Sequence, residues 1–153
     1  MPRRIWPTHL ILVIPLVLMA AGCGDSTTQP GSKPDLPEEY ATLKDAGTFK
    51  GSRVGYGGMT PPEVLAFRSL LGSSRSDCLY KRLLGEASTP GQLYALAGIY
   101  FTDPEGFAAA IQPYLESADQ VETMFGCIVD KQVVSVIATS IASGALPLDL
   151  RGP

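Results

Sequence analysis

The chain has 153 residues, 12 Lys or Arg against 15 Asp or Glu, and a formal net charge of −3. Its only histidine and only tryptophan, His9 and Trp6, lie at the extreme N-terminus. Beyond them, a Ser-His-Asp relay, a Cys-His pair and a zinc site with imidazole ligands are excluded. The absence of any Lys/Arg cluster in the same stretch argues against nucleic acid as a partner.

Arg3 and Arg4 form a basic n-region, Leu10 to Leu18 is apolar around Pro15, and Ala20-Ala21-Gly22 gives a small-residue exit. This order predicts a secretory signal peptide over residues 1–22. The apolar run is shorter than the roughly 20 residues that cross a bilayer as a helix. The tetrapeptide Ala20-Ala21-Gly22-Cys23 resembles the lipobox of bacterial lipoproteins, with Ala20 standing where that family more often has Leu. The resemblance implies cleavage before Cys23, a diacylglycerol on its sulfur and often a third acyl chain on its amine. The partner implied is membrane lipid, held through buried methylenes at about 0.8 kcal/mol each. Gly24, rather than Asp, follows the anchored residue, which implies the outer membrane facing the periplasm.

Removal of residues 1–22 leaves 131 residues with 10 basic and 15 acidic side chains, a formal balance of −5. Residues 23–37 then form the lipidated N-terminus and a flexible tether, because Leu36 is the one large apolar residue in them. About 110 residues remain, enough for one modest core. Three cysteines are present; with Cys23 taken by lipid, Cys78 and Cys127 are expected to form one disulfide in an oxidising compartment. Their separation is unlike the Cys-x-x-Cys spacing of redox enzymes, so the bridge is read as structural.

Residues 38–60 read as a short helix over Glu38 to Lys44 followed by a Gly-rich stretch, either a loose hairpin or an irregular loop. That stretch lacks the phosphate-loop pattern; its functional reading is a recognition loop presenting Arg53 and Tyr56. Residues 61–145 are expected to form a helical domain. Thr60-Pro61-Pro62-Glu63, Thr89-Pro90-Gly91-Gln92, Thr102-Asp103-Pro104-Glu105 and Asp119-Gln120-Val121-Glu122 each match a capping box. Apolar residues at helical spacing follow each, among them Val121, Met124, Phe125 and Ile128. Ser76 or Asp77 starts a further helix, Gly98 marks a close helix approach, and Pro113 kinks or shortens its helix. The Val/Ile density over 128–137 also suits a strand, but the uninterrupted run to Ala142 favours helix. Residues 146–153 read as a short tail.

The expected fold is therefore all-α: about five or six short helices, clipped by Cys78–Cys127. The mature part resembles small, uncharacterised helical lipoproteins of bacteria, a resemblance that implies no activity. Glu63, Glu86, Asp103, Glu105, Glu116, Asp119, Glu122 and Asp130 mostly sit at helix starts, where capping and dipole effects account for them. No catalytic residue, metal site or cofactor is assigned. The expected function is a non-enzymatic binding or structural domain that contacts another envelope protein. The alternatives are a carboxylate-dependent cell-wall hydrolase and an inhibitor or immunity protein for a secreted enzyme.

Overall fold

The computed structural model describes residues 36–152. The expected leader, Cys23 and nearly all of the expected tether lie outside them. The described residues form eight helices and a three-stranded mixed sheet, so the fold is α/β and not all-α. The helices are α1 (Glu38–Lys44), α2 (Pro62–Leu71), α3 (Ser76–Glu86), α4 (Thr89–Thr102), α5 (Pro104–Ala110), α6 (Gln112–Leu115), α7 (Val134–Ala142) and α8 (Ala145–Arg151). The strands are β1 (Phe49–Val54), β2 (Gln120–Gly126) and β3 (Ile128–Val133). None of these helices is long and apolar enough to cross a membrane.

The core is built around α4. Leu93 to Ile99 is buried on every side, as expected of a helix apolar all round. Helices α1, α2, α3, α5, α7 and α8 and the first two strands pack about it, α3 most extensively. Gly98 lies where α3 crosses: a methyl group there would meet the Tyr80 ring at 2.5 Å. The close helix approach expected at this glycine is thus present. An aromatic chain ties sheet to helices. Phe125 packs on Phe49 (ring centroids 6.2 Å apart), Phe49 on Tyr94 (4.7 Å), Tyr94 on Phe67 (6.5 Å) and Phe67 on Tyr80 (5.7 Å).

The capping boxes fall one residue away from the hydrogen bonds that form. Ser88, not Thr89, caps α4 by accepting from Gly91 N–H, and Asp103, not Thr102, caps α5 by accepting from Gly106 N–H. Helix α2 begins after Pro61 without a side-chain cap. The chain around Pro113 breaks into α5 and α6, as a proline in a helical run requires.

The fourth box starts a strand. Val121 and Thr123 are buried while Gln120 and Glu122 face solvent, a period of two. β2 pairs antiparallel with β3 from Gln120↔Val133 to Phe125↔Ile128, across the two-residue turn Gly126-Cys127. Gly126 has φ of +58°, the left-handed conformation such turns favour. β2 also pairs parallel with β1, Phe49 opposite Thr123, a contact between segments far apart in sequence. The Val/Ile run divides: Ile128–Val133 is strand and Val134–Ala142 is helix. The expected tail is also ordered, since α8 buries Pro147 and Leu150.

The expected Cys78–Cys127 disulfide does not form. Cys127 is a free, exposed thiol at the β2–β3 turn, whereas Cys78 lies in α3. Two cysteines can bridge only if the fold brings their Cβ atoms within about 4.5 Å. The strand pairing of β2 carries Cys127 to the sheet end instead.

Candidate functional site at the β1–α2–α8 cleft

The site begins with how β1 is finished at its outer edge. Among the described residues no strand lies there; side chains take the place of one. Tyr94 Oη accepts from Lys50 N–H (2.8 Å) and donates to Lys50 C=O (3.0 Å). Asp149 of α8 accepts from Ser52 N–H (3.1 Å) and from Ser52 Oγ–H (2.7 Å). Between Lys50 and Val54, β1 runs out of step with β2, a bulge of the kind that re-aims side chains. Ser52 and Arg53 fall inside that bulge.

α2 contributes the second wall. Arg68, in its last turn, donates Nε–H to the carbonyl of Leu150 at 2.7 Å and so ties α2 to α8. Between β1, α2 and α8 lies an open cleft of about 440 Å³, lined by Ser52, Arg53, Thr60, Arg68, Asp149 and Gly152, with Leu148 as the one large apolar side chain among these described residues. It carries two guanidinium groups and one carboxylate. Neither arginine is ion-paired with a described residue, while the Asp149 oxygens are engaged by Ser52. A shallower groove of about 350 Å³ runs between α1 and α2, past Glu38, Glu39 and Leu65.

The two residues expected on a recognition loop part company. Arg53 lines the cleft, whereas Tyr56 does not. Tyr56 sits at the apex of a tight turn closed by Val54 and Met59, whose backbones exchange hydrogen bonds of 2.9 Å each way. Gly55 N–H donates to Gly126 C=O (2.8 Å), which pins this turn to the β2–β3 turn. These two joined turns carry exposed Tyr56 and Met59, and Ile128 and Val129 at the start of β3 are exposed as well. Tyr56 is as exposed as in an extended chain, at 103 %. Arg68, Asp149 and Thr60 were not legible as site residues. No motif in the sequence singles out Arg68, and Asp149 falls in the expected tail.

The carboxylates considered for catalysis are spread over the fold. Asp103 accepts from Gly106 N–H and pairs with Lys81 (2.8 Å); the Lys81 hydrogen bond, then the amide, hold its carboxyl below the usual range. Glu86 accepts from Arg82 (2.8 Å) and Tyr40 (2.9 Å), and these two hydrogen bonds, Arg82 first, lower it likewise. Glu63 is paired with Lys50 at 2.8 Å and has its other oxygen buried without a partner. Glu122 accepts from Thr48, and Asp130 from Lys131 N–H. Among the described residues no group of three or more His, Cys, Asp or Glu is placed to hold a metal ion. Not every tyrosine hydroxyl reaches the surface: Tyr80 Oη–H donates to Phe67 C=O at 2.7 Å in the core.

No protein-family model, curated protein or solved structure matches this chain.

Proposed function

We propose that the protein is a membrane-anchored bacterial lipoprotein whose folded part is a non-enzymatic binding domain for another envelope protein. Cys23 carries the acyl anchor, and the chain is held at the outer membrane facing the periplasm. The observation that carries the binding role is the pair of joined turns, with Tyr56 and Met59 exposed on one and Ile128 and Val129 exposed at the start of β3. Exposed apolar side chains on two turns held together by their backbones favour a protein contact, and tyrosine supplies large contact area at low entropic cost. The turn that presents Tyr56 is fixed by four backbone hydrogen bonds, so little ordering is left to be done on binding.

The test is crosslinking of the native lipidated chain in its own envelope, beside a Tyr56→Asp, Met59→Asp variant. A discrete partner captured by the parent and lost in the variant supports the reading. An unchanged set of crosslinks overturns it. Separately, Cys23→Ala is expected to release the chain from the membrane fraction; continued tight attachment would remove the anchor.

A further inference from the structure

We propose that the cleft between β1, α2 and α8 binds a small hydroxylated anion, of the sugar-acid or sugar-phosphate class, gripped by Arg53 and Arg68. This goes beyond the protein contact proposed above and rests on different residues. The first ground is charge. Lys44, Lys50, Lys81 and Arg82 are each ion-paired with a carboxylate. Arg53 and Arg68 pair with no carboxylate among the described residues, in a chain with more acidic than basic side chains. Two guanidiniums against the single Asp149 carboxylate leave this concave site net positive, which attracts an anion, and each guanidinium can offer a charge-assisted, two-pronged hydrogen bond.

The second ground is how Arg68 is held. Its Nε–H is committed to Leu150 C=O at 2.7 Å, which fixes the guanidinium and leaves its two terminal nitrogens to a ligand. The chain at Gly152 passes close beside it: a Cβ there would lie 2.8 Å from Nη2 and 3.0 Å from Cζ. A side chain at 152 would therefore push the guanidinium aside. The group is positioned before any ligand arrives, which lowers the cost of binding.

The third ground is the rest of the lining. Asp149, already accepting two hydrogen bonds from Ser52, keeps lone pairs for a ligand hydroxyl, and Ser52 and Thr60 add hydroxyl groups of their own. Of the described lining residues, Leu148 alone is large and apolar, so the cleft suits hydroxyl-rich rather than greasy ligands. Its volume of about 440 Å³ falls within the roughly 300–1,000 Å³ of small-molecule sites.

The experiment is calorimetric titration of the full chain with glucuronate, glucose 6-phosphate, inorganic phosphate and glucose. At least one of the first two is expected to bind saturably, more weakly as salt rises, while glucose does not bind. Which of them binds distinguishes carboxylate from phosphate. Arg53→Gln and Arg68→Gln are each expected to weaken that binding about tenfold or more. Arg53 is exposed and makes no described ion pair, so its variant should keep the parent's thermal midpoint and still lose affinity. Failure of both sugar anions to bind, equal binding of glucose, or unchanged affinity in Arg53→Gln overturns the proposal. Inorganic phosphate binding as tightly as glucose 6-phosphate would overturn the role given to the hydroxyl groups.

Discussion

Gly98 offers a substitution whose sign is set by packing rather than by helix propensity. In an exposed helix interior, Gly→Ala stabilises by about 0.8–1 kcal/mol because it restricts the unfolded chain. At Gly98 the added methyl would stand 2.5 Å from three atoms of the Tyr80 ring. Ordinary van der Waals contact begins near 3.4 Å, so ring and methyl must separate by roughly 1 Å or more. Tyr80 has no room to retreat. It is fully buried, packed at a tilt against Phe67, and tied by its hydroxyl to Phe67 C=O at 2.7 Å. With the ring held on both sides, the overpacking falls in the upper part of its usual range, about 2–3 kcal/mol, which outweighs the propensity gain. Gly85, near the end of α3, is the control: nothing lies within 4 Å of the place its added methyl would take. Urea denaturation followed by far-ultraviolet circular dichroism should therefore place Gly98→Ala about 1–2 kcal/mol below the parent. Gly85→Ala should lie about 0.5 kcal/mol or more above it. A Gly98→Ala protein as stable as the parent, or two variants shifted alike, would refute the packing argument.

Tyr94→Phe should cost about 2 kcal/mol, more than Tyr80→Phe, because it orphans both the N–H and the C=O of Lys50 at the β1 edge; equal losses in the same denaturation assay would count against that edge function. Cys127 should react with a thiol reagent in the native, unreduced protein, and Cys127→Ser should leave the unfolding midpoint unchanged; a blocked Cys127 that appears only after reduction would restore the bridge. Alkali should weaken the fold. Burial first, then the hydrogen bond to Glu86, push Tyr40 up from 10.0 to about 12, and burial raises Tyr80 and Tyr94 as well. The folded chain thus holds these phenols neutral where the unfolded chain ionises them. The Tyr40 share of that stability is complete below pH 10 and is lost as pH rises through about 12, and the shares of Tyr80 and Tyr94 persist to higher pH. Tyrosinate absorbance should lag behind that of a denatured control over this window; coincident titrations would contradict the burial.

The helices were legible where local chemistry suffices. Glu38–Lys44, the start at Ser76, the break near Pro113 and the close approach at Gly98 follow from apolar spacing, from proline, or from a glycine inside an apolar helix. Residues 120–133 were not, because Val121, Phe125 and Ile128 satisfy a helical spacing while Val121, Thr123 and Phe125 satisfy a strand's. The choice was made by β1, which lies some seventy residues earlier and pairs with β2 only in the folded chain. The cleft follows from the same choice, since Arg53, Arg68 and Asp149 come from a bulged strand, a helix end and a C-terminal helix.

By itself, then, the sequence determined what short-range chemistry controls: the order of basic, apolar and small residues before Cys23, the helical punctuation, and the lack of histidine beyond residue 9. Tertiary structure alone decided the sheet, the free thiol at Cys127 and the pair of arginines in one cleft. Each of these depends on contacts between distant segments. Their free energy comes from burying a shared core, and no local window of the chain contains it.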